Sequence, residues 1–512
     1  MTLRIRVDWT RNGTFTDPLD DVTSRMRGGT AGEVAVSFGR DQSTALTPVS
    51  AGRGSMTLDN RDKRLTPKNT ASPLFGLLKP ARPVLLDRTV GGATWTLFAG
   101  HTDDNPINVD REAQSASFSL VDWLVDFKGQ QLSTPLYRGI RTGEAIGRVL
   151  DAAGWTGGRD LDLGASWLPY WWAEGTDALA ALNDLVRAEG PPALLTVGPS
   201  GEIVFRDRHH RITRAASTTS QGTWRAQDTA IPKMARGFGY SEGWSLIVNS
   251  VQASIPVRRP TDLSVVWSTS DTISLSDGES TVISAQGSDP FFGAQAPVAG
   301  TDWLALSGVM TATLLRDSGL AAGIKLTATG GPASITNLQL RAVPAPIVNT
   351  VTISATDTQS VADYGQRGLP NGADLPFVNQ YDAAAILGQI VATRAQPLTQ
   401  LQVRFVVGRS SSQFAALQPR AIGDRVTVIE PGSLVNGDFY IESVAHLLRG
   451  EEDHEVTFGL EACPATISPV FRFDTAGAGF DQGRFGDGQN VGSTVFRFDT
   501  AGQGFDQGVF AS

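Results

Sequence analysis

Four stretches near the N-terminus, GEVAVSFGR (32–40), GSMTLDNRD (54–62), ATWTLFAGH (93–101) and SASFSLVDWLVDF (115–127), carry short runs with apolar residues at every second position. That period fits only a strand with one face buried, because successive side chains of an extended chain point to opposite sides. Met56 and Leu58 share one face, as do Phe118 and Leu120. Turn residues separate the runs at intervals suited to a small barrel or sandwich, so residues 1–128 are predicted to form an all-β unit.

After Pro135 the period changes to that of a helix. TGEAIGRVLDAAGW sets Ile146, Val149, Leu150 and Ala153 on one face, with Thr142 as the expected cap and Gly154 as the stop. TDALAALNDLVRAEGPP places Leu179, Leu182, Leu185 and Val186 in a stripe, with Thr176 as cap, Asp177 in the first turn and Gly190 as terminator. A hairpin follows, ALLTVGPSGEIVFRDR, turning at Pro199, Ser200 and Gly201. Residues 129–235 are therefore expected to form a small α+β domain.

IVNSVQAS at Ile247 and IVNTVTIS at Ile347 share five of eight letters. Either the match is chance, or the copies lie on neighbouring strands of a host sheet into which a β-sandwich, 257–346, is inserted. The intervening segment, with LSVVWS, STVISA and IKLTAT, shows no helical period. The host domain, 236–256 plus 347–465, resumes with the helix YDAAAILGQIVATRAQP, whose Ile386, Leu387, Ile390 and Val391 face one way and whose Pro397 ends it. LQVRFVV and DRVTVIE then read as strands, and DFYIESVAHLL is expected to pair with HEVTFGLEA. The predicted class is mainly β with a small α+β part, in several domains.

With 512 residues, 41% hydrophobic and 19% charged, the chain can bury several cores. The start MTLRIRVDWTRNG lacks a secretory pattern and no apolar run reaches the ~18 residues of a membrane span, so the expectation is a soluble chain made in the cytoplasm. A single cysteine, Cys463, excludes an internal disulfide, and with five scattered histidines it offers no closed zinc set. A net charge of −9 argues against specific nucleic-acid binding, which needs clustered cations.

The chemistry-bearing residues form no recognisable catalytic set, and none of GxSxG, HExxH, a phosphate loop or a dinucleotide fingerprint stands in a strand-to-helix context. His209 and His210 are adjacent and read as surface residues. His446 and His454 sit on strands expected to face each other, beside the acidic turn Glu451–Asp453. DNRDKR, with Asp59 and Asp62, lacks the glycine and distal glutamate of a calcium loop and reads as a turn. Asp20/Asp21 and Asp103/Asp104 could serve a glycosidase only if folding brought them across a cleft. PYWW, at 169–172, could stack on a sugar or fill a core or an interdomain seam. No enzyme, metal or cofactor is predicted.

Two stretches carry a family resemblance. Asp8–Trp9, DDVTSRM, FGRD, SMTLDNRDKRLTPKN, SPLFGLLKPARPVLL and LFAGHTDD, in that order over about 130 residues, resemble the N-terminal region of minor tail proteins from long-tailed, siphovirus-like phages of actinobacteria. IVNTVTISATDTQSVADYGQRGLP through IGDRVTVIEP and FYIESVAHLL resemble the far domain of the tail-tip (baseplate) hub in the same phages. The resemblance implies a homotrimer with β-barrel-like hub domains that closes the tail tube below the distal tail protein ring, in a virion, with a role in host attachment and genome ejection. The insert and the C-terminal repeat depart from the plain pattern, and no peptidase-like extension is present. A tail-associated cell-wall hydrolase, or an adhesin binding host cell-envelope glycan, is the alternative.

The repeat is VFRFDTAGAGFDQGRFG at Val470 and VFRFDTAGQGFDQGVFA at Val495, within a tail spanning 466–512. Each copy is too short and too poor in aliphatic residues to build a core, so it must borrow a surface. Phe471, Phe473, Phe480 and Phe485, matched by Phe496, Phe498, Phe505 and Phe510, are the predicted docking residues for further tail-tip or receptor-binding proteins. Each ring would bury roughly 1.5 to 3 kcal/mol gross, and two linked copies would add avidity of about 10² to 10⁴. The alternatives are that the tail packs back on its own hub or stays a disordered appendage.

Overall fold

A computed structural model describes residues 2–464 apart from 27–31, 41–45, 47–48, 106, 199, 227–228, 236–237, 318, 370–371 and 451. The class is mainly β, with few helices. The largest sheet has 13 described strands, and its order runs through both the first and the last described strands. From one edge come Thr2–Val7, Pro83–Val90, Ala93–Thr102, Ser115–Val121, Val49–Asp59 and Val34–Arg40; then follow Val435–Leu448, His454–Ala462, Thr399–Val406 and Gly239–Glu242. The join is the antiparallel pair Val34–Arg40 and Val435–Leu448, with Val34 opposite Leu448 and Gly39 opposite Ser443. DFYIESVAHLL pairs with HEVTFGLEA as the alternation suggested, Val444 opposite Phe458.

Both halves share one core, which takes Ile5, Met56, Leu58 and Phe118 from the first and Val403, Phe405, Phe458 and Leu460 from the second. The sheet also meets itself across this core. Arg88, fully buried on Pro83–Val90, donates through Nη2 to the carbonyl of Gly408 (2.9 Å), just beyond Thr399–Val406. Trp224, Phe405 and Phe458 pack with ring centroids 4.9–5.9 Å apart, a geometry that contributes beyond area burial.

A second core gathers the helices Thr142–Ala152 and Ala178–Glu189 with the hairpin Leu194–Val197 and Ile203–Arg206. The helix Gln380–Arg394 also buries Ile386, Leu387, Ile390 and Val391 there, although its sequence neighbours are strands of the large sheet. Two caps differ from expectation by one residue. Asp177, not Thr176, caps its helix by accepting from Ala180 N (3.0 Å). Thr142 does not cap: Glu144 accepts from Arg141 N (3.0 Å) at that terminus, and the Thr142 hydroxyl donates instead to buried Glu189.

Residues between 264 and 344 form two small packed sheets around Phe291, Trp303, Ile324, Leu326, Leu338 and Leu340. They connect through Ser250–Arg258 and Ile347–Thr356, which pair antiparallel along their length. The two IVN copies occupy opposite ends of this ribbon. Ile247 and Val248 are 3% and 2% exposed, whereas Ile347 and Val348 are 49% and 52% exposed, so the shared letters serve unlike environments.

Candidate functional site

The eight docking phenylalanines, Phe471 to Phe510, lie outside the described residues. Asp62 pairs with Arg25 (2.8 Å), and that hydrogen-bonded guanidinium holds its carboxyl down at about 2; Asp59 pairs with Arg61 (3.1 Å), so DNRDKR is a turn pinned by arginines. Asp20 is buried and Asp21 exposed, and the Asp103 carboxylate is occupied by Asp104 N (2.8 Å) and Asn105 (2.7 Å) in an exposed turn. Of PYWW, Trp171 is buried against Tyr137 (centroids 5.6 Å apart), and Trp172 meets Phe377 edge-on (5.4 Å) with Arg258 over its face. That cluster fills a core and the seam beneath the 264–344 sheets.

His210 corrects the surface reading of the histidine pair. It begins the short helix His210–Thr213, is 1% exposed, and burial together with the neighbouring Arg211 charge depresses its pKa to about 3. A run of Arg-Asp-Arg-His-His-Arg reads as solvated in sequence, and only the packing of this segment under the large sheet reverses that.

His446 and His454 do approach, Nδ1 to Nε2 at 3.1 Å, and both are buried. Arg88 Nη1 lies 2.8 Å from His454 Nδ1. Arginine can only donate, so His454 Nδ1 accepts, its Nε2–H donates to His446 Nδ1, and His446 carries its proton on Nε2. Burial holds His446 down at about 4 and, with the charges of His446 and Arg88, holds His454 well below the usual imidazole range. A depressed folded pKa means stability is intact above about 6.5 and falls as acid charges the unfolded histidines first. His454→Gln keeps an acceptor for Arg88 and a donor for His446 but cannot be protonated. In denaturant melts, wild type is expected to lose roughly 1.4 kcal/mol per pH unit relative to this variant below pH about 6.5. Parallel pH profiles would contradict the relay.

Sequence reasoning missed the largest buried ionic group, because its members are far apart along the chain. Glu442 is ion-paired with Arg211 and lies 3.7 Å from Arg40; Glu461 accepts two bonds from Arg394 (2.7 and 2.8 Å) and lies 4.0 Å from Arg211. All five side chains are at least nine-tenths buried. Burial alone would raise Glu461, but the charge and bonds of Arg394 bring its pKa below the usual carboxylate value. Arg40 also donates to the Ala193 carbonyl (3.3 Å), and the Arg211 guanidinium lies 4.4 Å over the Tyr440 ring. The group ties the Val34–Arg40 strand, the 129–235 region, the Gln380–Arg394 helix and the C-terminal strands at one point. Its chemistry is positional: bidentate, desolvated pairs fix orientation.

At one end of the large sheet, Gly239–Glu242 pairs, among the described residues, only with Thr399–Val406 and is exposed along its length, with its Tyr240 50% and the nearby Trp244 66% exposed. An open edge with aromatic neighbours is the surface a partner strand would use. Among the described residues no group of three or more His, Cys, Asp or Glu could hold a metal ion, and no helix is long and apolar enough to cross a membrane.

No family model and no curated protein matches the chain. Among solved structures, it is similar to a 43 kDa tail protein of prophage MuSo2 from Shewanella oneidensis, at 12% identity and TM-score 0.45, covering 90% of this chain and 97% of that one. A tail protein from Neisseria meningitidis aligns at 10% identity and TM-score 0.45, covering 90% and 97%. An E. coli component of the type VI secretion system, described as structurally similar to T4 tail proteins gp27 and gp5, aligns at 9% identity and TM-score 0.39, covering 93% and 87%.

Proposed function

We propose that the chain is a structural hub protein of a phage tail tip, in a siphovirus-like particle of actinobacteria. One observation supports the reading: the two stretches with the ordered resemblance meet directly, Val34–Arg40 of the first and Val435–Leu448 of the second being hydrogen-bonded neighbours in one sheet, with the strands of 399–462 sharing the core of the N-terminal strands while Ile353, Leu375 and the Gln380–Arg394 helix pack on the second core. The net charge of −9 suits a conduit for DNA, since carboxylates offer phosphate no counterion-release attraction.

In this reading the chain acts as a homotrimer below the distal tail ring, the open Gly239–Glu242 edge meets a neighbour, and residues 257–346 decorate the hub. The C-terminal phenylalanine repeats dock further tail-tip proteins. Sedimentation of the purified chain is expected to give a trimer; a monomer at micromolar concentration would refute the hub assignment. Deleting residues 466–512 should leave the hub assembled while abolishing recruitment of its neighbours, and full recruitment by the truncated chain would remove the docking role. A cleared zone on host cell walls in a zymogram would favour the hydrolase reading instead.

A further inference from the structure

Between the 194–206 hairpin, the 411–424 segment and the inner face of the large sheet lies a cavity of about 210 Å³. Its wall is mostly hydrocarbon, including Phe38, Leu97, Leu194, Phe414, Val444 and Phe458. Among the described residues, four on the wall have a buried polar atom with no hydrogen-bond partner: His210 Nε2 and Thr196 Oγ1, on residues 1% and 7% exposed, and Glu202 Oε2 and Arg420 Nε. Buried polar atoms are nearly always partnered, so such a group asks what fills the space.

The chemistry of the occupant can be read from the wall. His210 Nδ1 lies 2.7 Å from the carbonyl of Asp207 and must donate to it, so Nε2 presents a lone pair. The Thr196 hydroxyl can donate or accept. His446, at the end of the Arg88 relay, lines the same cavity with its proton on Nε2. The charged groups on the wall balance in number, Asp160, Glu202 and Asp424 against Arg206, Arg214 and Arg420, and Arg206 is held by Asp160 (2.8 Å). The wall therefore calls for no ligand with a net charge. Engineered apolar cavities of about 150 Å³ accept benzene, so 210 Å³ accommodates one substituted ring or a small bicycle.

We propose that this cavity is a binding site for a small uncharged aromatic molecule bearing a hydroxyl or ring N–H, which donates to His210 Nε2 and packs its ring against the hydrocarbon wall. The site is independent of the hub reading, since it uses no edge strand, no repeat and no second subunit. Calorimetric titration of the full chain with phenol, indole and benzene tests it. Phenol and indole are expected to bind saturably at one site per chain, about tenfold more tightly than benzene, the ratio one buried hydrogen bond supplies. Thr196→Val, which keeps the side-chain shape, and His210→Phe should each lower phenol affinity several-fold and leave benzene nearly unchanged, while Leu194→Phe should fill the space and weaken all three ligands. If His210→Phe does not fold, Thr196→Val and Leu194→Phe decide the matter. No saturable heat with phenol, equal affinity for phenol and benzene, or unchanged phenol binding in Leu194→Phe would each overturn the assignment.

Discussion

Replacing Glu442 by glutamine is expected to cost about 3–5 kcal/mol of unfolding free energy, the range for removing one member of a buried ion pair. Glu442 is 1% exposed, and its carboxylate is the partner of Arg211 and the nearest anion to Arg40. Without it, Arg40, Arg211 and Arg394 would share the single carboxylate of Glu461 in a desolvated space. Burial already depresses the Arg40 pKa, with Glu442 as the leading opposing influence, so the loss falls on a guanidinium that has little else to stabilise its charge. Urea melts followed by tryptophan fluorescence would measure the effect. Pairing Glu442→Leu with Arg211→Met should recover much of the loss, because exchanging a buried pair for hydrocarbon is often neutral or better. A Glu442→Gln variant within 1 kcal/mol of wild type, on the same scale, would show that water reaches the group.

Gly39→Val is expected to be comparably severe, at about 3 kcal/mol or more, and to act on the same seam by a different cause. Gly39 has φ +122°, a region L side chains rarely adopt, and a Cβ there would lie 2.4 Å from the Glu442 carbonyl oxygen and 2.5 Å from Ser443 Cα. Both contacts are with backbone, which cannot rotate away. The position falls where the register slips on both sides, between Ser37 and Gly39 against Val49–Asp59 and between Ile441 and Ser443 against His454–Ala462. Gly13 provides the control: its φ is +80° but nothing lies within 4 Å of its Cβ position, so Gly13→Ala should cost only about 1 kcal/mol of backbone strain. Limited proteolysis should cut Gly39→Val near the Val34–Arg40 strand well before wild type; equal resistance of the two variants would contradict the close approach.

The slip at Ile441 and Ser443 also decides which face His446 takes. Up to Ile441 the core side is taken by Val435, Phe439 and Ile441; beyond the bulge it passes to Val444, His446 and Leu448. Unbroken alternation would have sent Ser443, Ala445 and Leu447 to the core side and His446 to the opposite face, the one that carries Tyr440 and Glu442. A bulge inserts one residue and flips every later side chain, and DFYIESVAHLL contains no glycine or proline to announce it.

What the sequence by itself determined is local: the period-two strands, the helices over 142–152, 178–189 and 380–394 to within a residue or two, the glycine stops and the mainly β class. These follow from side-chain spacing and backbone propensity, which act over a few residues and are written in the letters. Only the tertiary structure decided that residues 34–40 lie beside 435–448, that the 380–394 helix joins the core of the 129–235 region, and that arginines and glutamates from positions 40 to 461 meet away from water. Such pairings depend on which burials are jointly best for the whole chain. A charged residue on an alternating strand looks the same in sequence whether its face meets solvent or another part of the molecule.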